Sequence, residues 1–153
     1  MKKGKLVREQ LESSLQRLEP LVAIEAPPKG WIRAIRAALG MSARQLAGRA
    51  GFSQQALSRI ERDELTGSVT VRMLKRVAES LDCVFVYGFV PRSSLTETVR
   101  EQARRVATRR LGQAVTTMAL EAQALGKQEN QRILSGMVDQ LADNPPANLW
   151  DEA

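Results

Sequence analysis

Apolar residues recur at helical spacing through most of this chain, with one continuous β-branched interruption. Leu6, Val7, Leu11, Leu15 and Leu18 fall near one face, which predicts an amphipathic helix over residues 4–19 that stops at Pro20. "PLVAIEAPPKG" reads as a linker restricted by Pro27 and Pro28, although Leu21 to Ile24 could pair as a short strand. Trp31 then opens a cluster of four short helices, the first with Trp31, Ile32, Ile35 and Leu39 facing inward. Ser42-Ala-Arg-Gln45 fits a capping box, in which a serine hydroxyl and a glutamine side chain satisfy free backbone groups at a helix start. That second helix runs to Ala50 and buries Leu46, Ala47 and Ala50. Gly51 falls where a left-handed helix stop is wanted. Ser53 can cap a third helix, and Thr70 a fourth spanning Val71 to Leu81.

The interruption is "CVFVYGFV", residues 83 to 90, closed by Pro91. Its β-branched and aromatic content predicts a strand. A lone apolar strand needs a partner, because an open apolar edge invites uncontrolled pairing. Either Leu21 to Ile24 supplies it, or the same strand of a second protomer does. The second is favoured, with Val84, Phe85, Val86 and Tyr87 pairing across a two-fold axis in a homodimer.

Beyond Pro91, Ser94-Leu-Thr-Glu97 is another capping box. Leu95, Val99, Ala103, Val106, Leu111, Ala114, Met118, Ala122 and Leu125 then keep roughly helical spacing. They predict one long helix, bent at Gly112 and ending at Gly126. A last helix carries Ile133, Leu134, Met137, Val138 and Leu141 on one stripe and stops before Pro145. The expected fold is therefore mainly α, with one short strand. Three segments are expected: an N-terminal helix and linker over 1–28, a four-helix unit with its terminal strand over 29–91, and a helical extension over 92–153.

Charge separates these segments. The net charge is +6, and its distribution says more than the total. From Trp31 to Arg62 six arginines face Glu61 alone, a net +5. From Pro91 to Gly112 six arginines face Glu97 and Glu101, a net +4. After that, six acids face Lys127 and Arg132, a net −4. The first half looks built for a polyanion, the tail for something else. Cys83 is the single cysteine, which excludes an intramolecular disulfide and suits a buried, inert thiol. No apolar segment has the form of a signal peptide or the length of a membrane span, so a cytoplasmic protein with no membrane partner is expected.

Two short helices joined through Gly51 match the helix-turn-helix pattern. Ala47 is small enough to let them cross closely, while Phe52, Leu57 and Ile60 wedge beneath. The opposite face of the later helix presents Gln54, Gln55, Ser58, Arg59 and Arg62. Glutamine can pair in bidentate fashion with adenine and arginine with guanine, so Gln54, Gln55, Ser58 and Arg59 are the candidate base readers. Ser42, Arg44, Arg49, Ser53 and Arg62 are the candidate phosphate contacts, which give affinity and register without sequence information.

"RQLAGRAGFSQQALSRIERDE" resembles the Cro/repressor (Xre) class of helix-turn-helix, with the Leu-Ala pair, the Gly-x-Ser turn and the Ser-Arg-Ile-Glu ending all present. That resemblance implies a lambda-repressor-like bundle and a transcriptional repressor on double-stranded operator DNA, located on the nucleoid when bound. Many members of the class have a glutamine where this chain has Ala43, and Ser42 or Arg44 would then make that phosphate contact. "GWIRAIRAALGMSARQLA", "LTGSVTVRMLKRVAESLDCVFVYGFVP", "ETVREQARRVA" and "TMALEAQ" resemble the family called mobile mystery protein A. Its members are similar to antitoxins and associated with a protein that carries a Fic domain. The resemblance implies an autoregulating antitoxin that inhibits a Fic-type toxin. Inhibitors of such toxins present Ser/Thr-x-x-x-Glu-Gly/Asn on a helix, the glutamate obstructing the γ-phosphate of the nucleotide. Thr117 and Glu121 offer the first two elements one turn apart, with Ala122 in place of the last. Glu129 and Asn130 offer the end of the pattern, with Leu125 in place of its start.

Three alternatives stay open. The arginines from Arg100 to Arg110 are a solvated helix face, a contact to flanking DNA, or a contact to an acidic toxin surface. A stand-alone repressor from a phage or mobile element would use the extra helices only to dimerise. An interaction protein would keep the fold without binding DNA. Enzymatic roles are not expected. The chain has no histidine, which excludes histidine triads and histidine-containing zinc sites. It has no Gly-rich phosphate loop, and no cofactor or metal is expected.

Overall fold

The computed structural model describes residues 2–118 and 126–151, and every statement of absence below concerns those residues. They form seven α-helices: α1 (Lys2–Gln16), α2 (Trp31–Ala38), α3 (Ala43–Ala50), α4 (Gln54–Thr66), α5 (Val71–Ser80), α6 (Leu95–Met118) and α7 (Lys127–Asp143). They fall into two compact units. Residues 20–88 make one, and residues 1–19 with 89–153 make the other.

In the first unit the expected caps are present. Ser42 Oγ accepts from Gln45 N, while the Gln45 side chain accepts from Ser42 N at 2.8 Å, so both halves of the capping box close. Ser53 and Thr70 cap α4 and α5 through Ala56 N and Met73 N. Gly51 ends α3 at φ 70°, ψ 35°. Phe52 N then reaches Ala47 O at 2.8 Å, a Schellman closure that turns the chain sharply into α4. Gly67 ends α4 in the same manner, with Ser68 N bonded to Asp63 O. Ile32, Leu46, Ala47, Leu57, Ile60, Val77 and Leu81 form the core between the four helices.

α2 has no side-chain cap of its own, because Gly30 precedes it. Glu64 reaches from α4 instead. Its carboxylate accepts from Trp31 N at 2.8 Å and Ile32 N at 3.1 Å. Two otherwise free amides are satisfied, and an acid sits at the positive end of the helix. Gly30 makes room for it. Its φ of 81° and ψ of 160° lie in a region that only glycine enters readily, and a Cβ there would lie 2.6 Å from Glu64 Oε2.

Some expectations give way here. Trp31 and Leu39 are half exposed rather than inward, since α2 is short and they stand at its two ends. Leu21 to Ile24 is not a strand: Glu19–Ala23 closes as a 3-10 turn. No strand is present at residues 83–90 either. A strand requires a ladder, and the backbone of Val84, Phe85, Val86 and Tyr87 meets no partner among the described residues. Val84 and Val86 point to solvent at 87% and 68% exposure, while Phe85 stacks on Tyr87 with ring centroids 6.1 Å apart. Beside it lies an apolar groove of about 690 Å³, lined by Leu21, Ile24, Trp31, Ile35, Val84 and Val86 among others.

The second unit is built on α6. Ala103 and Ala107 present a small-residue face to Val138 of α7, with Leu134, Met137 and Leu141 packed around it. α6 runs unbroken through Gly112, and Ser94 Oγ accepts from Glu97 N at its start. Gln102, only 5% exposed, donates to Leu149 O at 2.9 Å and ties down the turn after Pro146. α1 belongs to this unit. It is held by polar contacts, Arg8 to Ala142 O and Thr96 to Glu12, whereas Leu6, Val7 and Leu11 of its expected core-facing stripe remain exposed.

Gly30→Ala is expected to cost on the order of 1–3 kcal/mol for its backbone conformation, and more once the Glu64 carboxylate is displaced. Gly67→Ala, at a left-handed position with open space around it, should cost only about 1 kcal/mol. Urea unfolding of the two variants should show that order.

Candidate nucleic-acid interface

At 100° per residue, Gln54, Gln55, Ser58, Arg59 and Arg62 fall within an arc of about 140° on α4. All five are exposed. The adjoining arc carries Leu57 and Ile60, which enter the core, and Glu61 and Glu64, which bond to α2. Glu61 holds Arg36 through two bonds, at 2.8 and 3.3 Å, and Arg36 also donates to Met41 O. Both partners of that pair are only 11–13% exposed, so the helix cannot roll without breaking a buried, bidentate ion pair. α4 is thus fixed about its own axis, with one polar face left outward.

The turn in front of it is braced from α5. Arg76 donates through Nε to Ala50 O at 3.0 Å, and its guanidinium carbon lies 4.3 Å from the centre of the Phe52 ring. One side chain therefore satisfies a free carbonyl at the end of α3 and covers the aromatic wedge.

This arrangement of α3, turn and α4, with one polar face outward, is the geometry that enters a major groove. A family model described as Helix-turn-helix matches residues 32–85. The chain carries a helix-turn-helix domain. The match begins at Ile32 in α2 and spans α2 to α5, and it supports a DNA-binding transcription regulator. No curated protein and no solved structure matches the chain. The helices after Pro91 lie outside the matched residues.

Within the helix-turn-helix domain the candidate residues fall into different situations. Gln54, Gln55 and Ser58 of α4 are exposed. Arg59 makes only a loose i,i+4 pair with Asp63, at 3.7 Å and 76% exposed. Such a pair is weak and easily exchanged for a base edge or phosphate. Arg44 on α3 and Arg62 late in α4 are exposed. Arg49 already donates from Nε to Ser80 O at 3.0 Å, which closes the end of α5 and leaves its terminal nitrogens for a phosphate. Ser42 and Ser53 accept cap bonds, yet each hydroxyl keeps a hydrogen to donate. Ala43 packs against the core and offers no polar contact.

Sequence reasoning missed Arg76, Glu64 and the partner of Glu61. Arg76 and Glu64 act across 26 and 33 residues, where local spacing carries no signal. Thr117 lies in the last turn of α6, and Glu121 and Ala122 lie outside the described residues. Glu129 is exposed in the first turn of α7.

Gln55→Ala and Arg59→Ala should each weaken binding to a promoter duplex of the chain's own gene by about 1–3 kcal/mol, if each reads a base. Their unfolding midpoints should match the parent, because neither side chain reaches the core. Gel-shift titrations beside urea unfolding would check both.

Proposed function

We propose that the protein is a sequence-specific transcriptional repressor that binds operator DNA as a homodimer and acts as the antitoxin of a Fic-type toxin. The observation that carries the DNA-reading part is the fixed rotation of α4. Its inner arc is tied to α2 by Glu61 and Glu64, which leaves Gln54, Gln55, Ser58 and Arg59 as a base-reading set. Arg44, Arg62 and the free end of Arg49 flank that set as phosphate contacts, with Ser42 and Ser53 at the helix starts.

Dimerisation is the second part. The backbone of residues 84–87, unpaired among the described residues, and the apolar groove beside it form an open edge with a hydrophobic floor. A contiguous apolar surface of that kind marks an interaction site. A second copy of the same segment is its natural cover, because antiparallel self-pairing supplies both the missing hydrogen bonds and the burial of Val84 and Val86. Two recognition helices would then address half-sites roughly 34 Å apart, or a multiple of that spacing. Val84→Asp with Val86→Asp should convert the dimer to monomer in sedimentation equilibrium and abolish paired protection in footprinting. A parent chain that sediments as a monomer and protects one half-site would sink the dimer.

The antitoxin part rests on the resemblance of separated blocks to mobile mystery protein A, with Thr117 and Glu121 as the inhibitory pair. Glu121→Ala should release the activity of a Fic-domain protein encoded beside this gene while leaving promoter binding intact. Equal silencing by parent and variant would remove Glu121 from that role. If no such neighbour is encoded or co-purifies, the protein is a stand-alone repressor.

A further inference from the structure

Of the two ties that hold α4 to α2, one is dry and one is wet. Both side chains of the Glu61–Arg36 pair are only 11–13% exposed, and neither lines the apolar groove. The bond from Trp31 N to Glu64 Oε1 lies at the surface, beside a Trp31 side chain that is 46% exposed. Trp31, Ile32 and Glu64 all line the groove, together with Ile35, Val84 and Val86. The cap on α2 is therefore built into the wall of the groove whose open edge is residues 84–87.

Water weakens a cap in that position. A carboxylate in contact with solvent exchanges its bonds to amides for hydration at little net cost. Once the water is removed, the carboxylate has no alternative partner, and the same bonds become stronger in the drier surroundings. Ile35, Val84 and Val86 make those surroundings apolar, so an apolar cover on the groove would exclude water from the cap. Two events that favour the same closed state are linked, and the linkage is reciprocal.

We infer that a second copy laid along residues 84–87 seals the Glu64 cap, so that dimer assembly tightens the hold on α4 and the cap in turn tightens the dimer. This rests on the dimer proposed above and adds a coupling between that interface and α4. A single chain keeps the Glu61 tie and is loose only where Glu64 meets α2. The second copy thus supplies more than a second set of contacts to DNA: it stiffens the mounting of each α4.

Amide hydrogen exchange of the full chain, followed by NMR above and below the midpoint of dimer dissociation, tests this without any substitution. The Trp31 and Ile32 amides should gain about tenfold in protection on assembly, the scale of one hydrogen bond to a charged group. The amides of Gln45 and Ala56, which bond to Ser42 and Ser53 outside the groove, should not share that gain. In Glu64→Gln the gain should disappear, which separates sealing of the cap from simple coverage of the amides. The same variant should weaken the dimer about tenfold in sedimentation equilibrium, whereas Glu61→Gln should leave it at the parent value. Equal gains at all four amides would mean general stabilisation and overturn the inference. A Glu64→Gln dimer as tight as the parent's overturns it as well. Failure of the dimer reading looks different: the parent chain would sediment as a monomer at every concentration.

Discussion

Two carboxylates one turn apart on the same helix hold α4 in place. Glu61 grips Arg36 and Glu64 caps the start of α2, so α4 is joined to α2 by charged hydrogen bonds as well as by Leu57 and Ile60. Hydrophobic packing alone is non-directional and would tolerate some rotation of the helix. Bidentate bonds with fixed geometry do not. Everything that the outer face can do depends on that rotation being set, because a turn of one residue would carry Gln55 and Arg59 off the outward arc. The positive-φ backbone of Gly30 is part of the same device, since without a Cβ it lets the Glu64 carboxylate reach two amides at once.

Much of this unit was legible from the chain. Capping residues announce themselves within four positions, so Ser42, Gln45, Ser53 and Thr70 could be assigned their tasks from spacing. Gly51 was legible for the same reason, as was the apolar set Leu46, Ala47, Leu57 and Ile60. The bonds from Glu64 and Arg76 were not, because each joins residues far apart in sequence that only the folded core brings together. The outward face could be read from helical period, whereas the bond from Arg49 to Ser80 O spans 31 residues and leaves no local sign. Residues 83–90 have strand composition without a strand, and the reason is simple. Propensity favours an extended backbone, but a ladder needs a second edge.

The second unit was harder to read. α1 has an apolar stripe by spacing, yet Leu6, Val7 and Leu11 stay exposed while Arg8 and Glu12 make the contacts. Periodicity reports amphipathicity, not which neighbour arrives. α6 shows the opposite case. Its buried arc is made of small residues, Ala103 and Ala107, whose value lies in close approach to Val138 rather than in hydrophobic bulk. Gln102 adds a buried polar tie to Leu149 O that no local pattern foretold.

The division of α4 into a bound arc and a free arc has an evolutionary meaning. Residues that hold the helix are separate from the residues proposed to face DNA. Gln54, Gln55, Ser58 and Arg59 can therefore be exchanged with little effect on folding, so a repressor that reads DNA through them, as proposed, could be retargeted by few substitutions. The inner arc has no such freedom. Drift in sequence preference on one side of the helix, and stasis on the other, is the pattern of descent that this geometry favours.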